Sequence, residues 1–298
     1  MPMARGALAA LVLAAGLFSP PQGPHLTVLG SRFVTPGGQP FDWRGITAFR
    51  LVELTAHGHE READAYLAWA ASKKLTLVRV LTMADGLFKL SPADGQRALP
   101  RLLEMAQAHG LYVEVVALAD TTKVTMDLSG HVKAIAMICG RYPNALLEIA
   151  NEPAHPTQAK ALHEPSFVKS LAALVPPGVP VSLGSVEMGD AFAGGSYVTW
   201  HAPRSGRHGW PAEIARGAAL VKRLGKPVIS DEPMGAADRA IAGRRDNAPS
   251  RFREAGAASR RAGIGATFHY EGGLQARLPT SIEMACLDAW LEGLSAGR

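Results

Sequence analysis

The chain is 298 residues long, 47% hydrophobic and only 19% charged, with 31 Gly and 21 Pro. An apolar fraction near the folded-protein norm, with a net charge of only +5, excludes an intrinsically disordered chain. The basic excess is diffuse, densest at Arg244-Arg245 and Arg260-Arg261, so it lacks the stripe of a nucleic-acid-binding protein; two cysteines, Cys139 and Cys286, supply neither a zinc site nor a disulfide framework.

The first segment reads as a secretory signal. Arg5 precedes an apolar run from Ala7 to Phe18, too short to span a bilayer, and Ser19-Pro20-Pro21 breaks the chain directly after it. Ala14 and Gly16 offer small residues at cleavage spacing, and no Cys follows for a lipid anchor. Next, His25–Val34 and the turn Thr35-Pro36-Gly37-Gly38-Gln39-Pro40 predict a hairpin able to plug the bottom of a barrel.

Eight strand-like runs follow: Asp42–Phe49, Thr76–Thr82, Leu111–Ala119, Ala145–Ala150, Val179–Ser185, Tyr197–His201, Pro227–Ser230 and Ala266–His269. Most are continuously apolar, as strands of a parallel sheet buried on both faces are. Amphipathic helical stretches such as Pro100–His109 lie between most of them. Ser91-Pro92-Ala93-Asp94 caps a helix start, while His109-Gly110 and Ala262-Gly263 end helices. The first five strand starts are spaced by about 34 residues, the rhythm of repeated βα units. The step from 179 to 197 is too short for a helix and predicts a loop. These elements predict an α/β fold, a (β/α)8 barrel with a short N-terminal β-hairpin. A doubly wound sheet is the structural alternative. Removing a signal of about 20 residues and a hairpin of roughly 20 leaves about 255, close to the size of one barrel.

Catalytic groups of a barrel come from the C-terminal ends of its strands. Strand four ends Glu148-Ile149-Ala150-Asn151-Glu152-Pro153 and strand seven ends Ser230-Asp231-Glu232-Pro233. Two carboxyl groups facing one another across a barrel mouth are what glycoside hydrolysis needs: one gives a proton to the leaving oxygen and the other attacks the anomeric carbon. Asp231 competes with Glu232 for the second position, since strand alternation sends the two to opposite faces.

Leu146 to Pro153, Leu-Leu-Glu-Ile-Ala-Asn-Glu-Pro, resembles the strand-four signature of clan A retaining glycoside hydrolases, of the family 5-like (cellulase-type) branch. The resemblance extends from about Gly30 to Trp290, including Gly30–Val34 and Pro40–Gly45 at the entry hairpin and first strand. It implies a (β/α)8 barrel that hydrolyses a β-linked glycan or oligosaccharide with net retention. Under it Glu152 is the acid/base, Glu232 the nucleophile, Asn151 the residue that binds the sugar 2-hydroxyl, Arg79 the arginine that keeps the nucleophile ionised, and His201 a histidine lining the cleft. Tyr270 and Trp210 sit in top-face segments and are candidates for stacking on sugar rings. Trp43 and Trp200 are further stacking candidates, whereas Trp69 and Trp290 read as packing residues.

The domain reading is then a signal peptide over residues 1–20 and a single catalytic domain over 21–298, secreted or periplasmic. Its partner is a carbohydrate substrate, with no nucleic acid, no membrane anchor after signal removal, and no metal or organic cofactor. Two alternatives stay open. Pro203 stands two residues after His201, where the family usually has a tyrosine, which favours a carbohydrate-binding barrel that has lost turnover. His57-Gly58-His59 suggests a metal-dependent barrel hydrolase, but the pair comes about eight residues after the end of strand one and reads better as loop or helix-start residues. Arg79 also has a structural reading, as a buried cation tying strands together through Glu148. Cys139 and Cys286 fall on helices that are not neighbours and are expected to be free, buried thiols.

Overall fold

A strand buried on both faces sends alternate side chains to opposite sides, and the Leu77-Val78-Arg79-Val80-Leu81 run shows how that alternation organises the molecule. The computed structural model describes residues 23–185, 190–201, 209–231, 247–270, 272–273 and 276–296. Among them β1 (Thr27–Leu29) and β2 (Arg32–Val34) pair as an antiparallel hairpin. Eight parallel strands follow: β3 (Arg44–Thr47), β4 (Leu77–Leu81), β5 (Tyr112–Leu118), β6 (Ala145–Ala150), β7 (Val181–Ser182), β8 (Val198–Trp200), β9 (Val228–Ser230) and β10 (Gly265–Phe268). Each falls inside, or within one residue of, the run that predicts it.

Their order, β7-β6-β5-β4-β3-β10-β9-β8, brings the first barrel strand beside the last. The two edges meet through a parallel bridge between Ser185 and Thr199 and a 3.0 Å hydrogen bond between the Ser182 and Thr199 hydroxyls. The sheet is a nearly closed (β/α)8 barrel preceded by a hairpin.

Helices cover its outer face: α1 (Leu51–Ala56), α2 (Glu60–Ser72), the single turn α3 (Asp85–Phe88), α4 (Pro92–Ala108), α5 (Leu128–Cys139), α6 (Pro165–Ala172), α7 (Gly209–Leu224), α8 (Pro249–Ala262) and α9 (Ser281–Ser295). Between β7 and β8 the described residues hold only a 3-10 turn, Asp190–Phe192, in keeping with the short step there. None of the described helices is long and apolar enough to cross a membrane.

α4 begins where the Ser91-Pro92-Ala93-Asp94 cap predicts it and carries the amphipathic Pro100–His109 stretch, with Pro100 inside the helix. Ser91 caps it by accepting from the Asp94 amide, and Pro92 sits in the first turn, where a missing N–H costs nothing. Ala98, Leu99, Leu102, Leu103 and Ala106 keep one buried face across the proline. Gly95 is required there because a Cβ would lie 1.7 Å from the Thr82 carbonyl oxygen at the end of β4.

The outward set, with Ile46, Val78, Val80, Val113, Val115, Leu147, Ile149, Val198, Trp200, Val228 and Phe268, packs under the helices as the main core. The inward set is layered. At the N-terminal end, Leu77, Leu146, Tyr197 and Ile229 meet Leu26 and Phe33 of the hairpin segment and Trp43 before β3. Phe33 lies 5.3 Å from both the Trp43 and Tyr197 rings, so the hairpin seals that end of the barrel. Trp43 thus belongs to the plug, and Trp200 packs outward against Gly217 and Ile264, so neither faces the mouth. Trp69 and Trp290 are packing residues, as expected. Cys139 on α5 and Cys286 on α9 are both buried and outside any disulfide, and burial pushes the Cys139 thiol up to about 12.

His131 on α5 is buried, and its Nε2 donates to the Ala117 carbonyl at 3.1 Å while Nδ1 accepts from the Gln96 amide at 2.9 Å. Burial holds this imidazole down to about 4 against an ordinary 6.5, so the folded state binds fewer protons than the unfolded state between those pH values. Stability is therefore lost as pH falls from 6.5 toward 4, by on the order of 3 kcal/mol from this group. Urea denaturation across that window is expected to give a visibly shallower pH slope for His131→Gln than for the wild type.

Candidate active site

The inward side chains one step above the apolar floor are polar. Arg79 of β4, Glu114 of β5, Glu148 of β6 and Asp231 just after β9 are all fully buried. Arg79 donates to Glu148 Oε2 from Nη2 at 2.9 Å and from Nε at 3.1 Å. Its Nε also lies 3.3 Å from Asp231 Oδ2 and 3.8 Å from Glu114 Oε2. Above the guanidinium lies the Phe49 ring, with its centroid 5.3 Å away. The structural reading of Arg79 holds, since it ties β4 to β6, and the same guanidinium also reaches the mouth, where Nη2 donates to Asn151 Oδ1 at 2.9 Å.

One guanidinium cannot neutralise three carboxylates in a dry interior, so protons must make up part of the difference. Burial, with the Asp231 charge adding to it and Arg79 opposing it, pushes the Glu148 carboxyl up to about 7. Burial and the charges of Asp231 and Glu148 hold Glu114 well above the ordinary carboxylate range, although Tyr197 donates to its Oε1 at 3.0 Å.

Asn151 and Glu152 leave β6 at the C-terminal mouth, both partly exposed, with the Glu152 side chain 31% accessible. Pro153 disfavours the right-handed helical conformation for the residue before it, and Glu152 takes a positive φ of 48°. The strained turn is held from two sides. Buried Gln158 donates to the Asn151 carbonyl and accepts from the Thr121 hydroxyl at 2.9 Å. Gly184, itself at φ 126°, lets the β7 end approach closely, since a Cβ there would stand 2.3 Å from the Ala150 carbonyl and 2.7 Å from Pro153. Arg79 occupies the Asn151 carbonyl oxygen, which turns the amide N–H2 into the group able to donate to a ligand hydroxyl.

His201, at the end of β8, is buried and joins this corner. Its Nδ1 is 3.2 Å from Glu152 Oε1, and its Nε2 is 3.3 Å from Asp231 Oδ1, a charge-pairing distance off the hydrogen-bond line. Its backbone amide donates to the Ser185 hydroxyl at 3.2 Å.

The structure thus brings together four of the expected residues: Glu152, Asn151, Arg79 and His201. Glu232 lies outside the described residues, as does the Trp210 side chain, whose backbone opens α7 rather than a top-face loop. Tyr270 is a correction: its ring is fully buried against Phe268, and its hydroxyl bonds Tyr66 at 2.7 Å and donates to the Arg277 carbonyl at 2.6 Å. Its ring follows the outward alternation of β10 into the helix layer and leaves no face for a sugar.

Glu148 was expected as the strand-tying partner of Arg79 and Asp231 as a rival to Glu232, whereas Glu114 was legible only as a charged residue inside an otherwise apolar strand. Among the described residues, Glu148, His201 and Asp231 are the group that brings three potential metal ligands within 4.8 Å. The Arg79 guanidinium already stands against both of its carboxylates, so a metal cation would meet a fixed positive charge there. His57 ends α1 and His59 precedes α2, paired with Glu53 and Glu62 respectively, each at 2.9 Å.

No protein-family model matches the chain, and no curated protein matches it in sequence. Solved structures do. A β-glucanase from Saccharophagus degradans in complex with cellotetraose superposes with a TM-score of 0.68 at 12% identity, over 94% of this chain and 96% of that one. An endo-1,4-β-mannanase from Rhizomucor miehei gives 0.65 at 12% identity, over 91% and 99%. A glycoside hydrolase family 5 structure from Bacteroides vulgatus gives 0.60 at 14% identity over 85% of this chain, which spans only 63% of that longer one. The chain shares the (β/α)8 barrel fold of these glycoside hydrolases.

Because Glu114 keeps a proton that the unfolded chain would release, its contribution to stability is present below about 4.5 and is lost as pH rises through its folded value. Glu114→Gln supplies a neutral isostere. Its unfolding free energy is expected to decline less than that of the wild type as pH rises above about 4.5 in parallel urea titrations.

Proposed function

We propose that this chain is a retaining glycoside hydrolase that cleaves a β-linked glycan or oligosaccharide with two glutamates. The observation that carries the reading is Glu152: a partly exposed carboxyl at the C-terminal mouth, in a strained turn, backed by His201 and flanked by the Arg79-bound Asn151. The glucanase and mannanase folds that superpose on the chain support the same substrate class.

In this reading Glu232, next in the chain after Asp231, attacks the anomeric carbon to form a glycosyl ester while Glu152 gives its proton to the departing oxygen. Glu152, now a carboxylate, then takes a proton from the water that hydrolyses the ester. The Asn151 amide is placed to donate to a hydroxyl beside the reacting carbon, and Arg79 anchors that amide. The mechanism asks for no metal or organic cofactor. The apolar Ala7–Phe18 run supports export, and with it action on an extracellular or periplasmic glycan.

Turnover of aryl β-glycosides, soluble β-glucans and mannans is the direct test, with the anomer of the first-formed product read by NMR. Retention is expected. Glu152→Gln should lower kcat/KM about 10²–10⁴-fold on substrates with poor leaving groups, the size of a general-acid contribution. Glu232→Ala should abolish turnover, and wild-type rates in that variant would remove Glu232 from the mechanism. Binding of these glycans without turnover by the wild type would instead establish the carbohydrate-binding barrel that Pro203 favours.

A further inference from the structure

At the end of β9 the residue placed inside the barrel is Asp231, fully buried, and two arms reach from it to the two consecutive residues at the end of β6. One runs from Asp231 Oδ2 to Arg79 Nε at 3.3 Å and on from Arg79 Nη2 to Asn151 Oδ1 at 2.9 Å. The other runs from Asp231 Oδ1 to His201 Nε2 at 3.3 Å and on from His201 Nδ1 to Glu152 Oε1 at 3.2 Å. The charged and titratable groups close to His201 include Glu148 on β6, Glu152 just after it, Asp231 just after β9 and, through Glu148, Arg79 of β4 with Glu114 of β5 behind it.

A neutral imidazole has one donor and one acceptor nitrogen, and the partner of one nitrogen decides the state of the other. A carboxylate 3.3 Å from Nε2, although off the hydrogen-bond line, favours through its negative charge the proton on that nitrogen. Nδ1 is then an acceptor, and the 3.2 Å contact with Glu152 is satisfied only when Glu152 carries the proton. We infer that Asp231 is a positioning residue for the acid/base: it anchors Arg79 and His201, and by keeping the His201 proton on Nε2 it leaves Nδ1 to accept from protonated Glu152.

This rests on the glycosidase reading of Glu152. In the first step the Glu152 O–H bond breaks and its proton passes to the glycosidic oxygen, while the electron pair of the C1–O bond goes to that same oxygen. The carboxylate left behind faces the Nδ1 lone pair, which gives it no hydrogen bond and makes it the stronger base for the second step. His201 keeps its single proton throughout.

The test reads the tautomer directly, by 15N NMR of 15N-histidine-labelled wild-type protein, with His201 assigned by its absence in His201→Asn. Protonation at Nε2 alone at the working pH is expected. A ring protonated at Nδ1, alone or together with Nε2, overturns the proposal.

Asp231→Asn supplies the kinetic arm. Its amide donates to Nε2, the ring takes the Nδ1–H tautomer, and that N–H stabilises ionised Glu152. The alkaline limb of kcat/KM should move down by about one pH unit. Turnover of a glycoside with a poor leaving group should fall at least about tenfold more than that of a dinitrophenyl glycoside, which needs little acid assistance. An unmoved alkaline limb with equal losses on both substrates overturns it. Should the wild type turn over no glycan, the glycosidase reading fails, while the wild-type tautomer still decides this one, whether or not Asp231→Asn folds.

Discussion

Among the described residues, the Arg79 guanidinium is the cation around which the polar interior is arranged. Three carboxyl groups from three different strands converge on it, and all are out of contact with water. An arginine does not give up its proton inside a protein, so its charge is fixed, and the protons of the surrounding acids must adjust to it. Burying four ionisable groups is costly compared with an apolar core of similar shape. What the arrangement supplies is position. Arg79 is rigid where it enters the mouth because its other donors are taken below.

That rigidity matters most at the turn after β6. A left-handed glutamate before a proline is an unfavourable conformation, and the structure surrounds it with groups that allow no other. Gln158 holds the carbonyl, Gly184 gives the neighbouring strand end room, Arg79 holds the asparagine and His201 meets the carboxyl. The strain lies at the point where a carboxyl must project from the rim rather than follow the strand back into the wall.

The barrel was readable because its strands are continuous apolar runs at βα spacing, and every one of the eight lies where that pattern puts it. Helix starts were readable where a capping residue announces them, as at Ser91, and buried leucines carry that same helix across Pro100. The rim residues Glu152 and Asn151 were readable from a local motif. Of the groups beneath them, Glu148 was readable as the partner of Arg79 and Asp231 as a rival to Glu232. Glu114 was not, nor was the meeting of all three on one guanidinium, which depends on separate strands coming together. Tyr270 shows the complementary failure: proximity to the top of β10 says nothing about the face, and its ring lies on the helix side.

The polar cluster also ties chemistry to the order in which the chain can assemble. Arg79, Glu148, His201 and Asp231 come from four strands spread over most of the sequence, and Thr47 meets His269 at 2.9 Å across 222 positions. No stretch from one half of the chain contains more than a fragment of the site. A contact of such long range is entropically late to form. A newly made chain can therefore pair Arg79 with Glu114 and Glu148 once β4, β5 and β6 are together, but it lacks Asp231 and the His201 arm until the later strands arrive, and those strands complete the mouth.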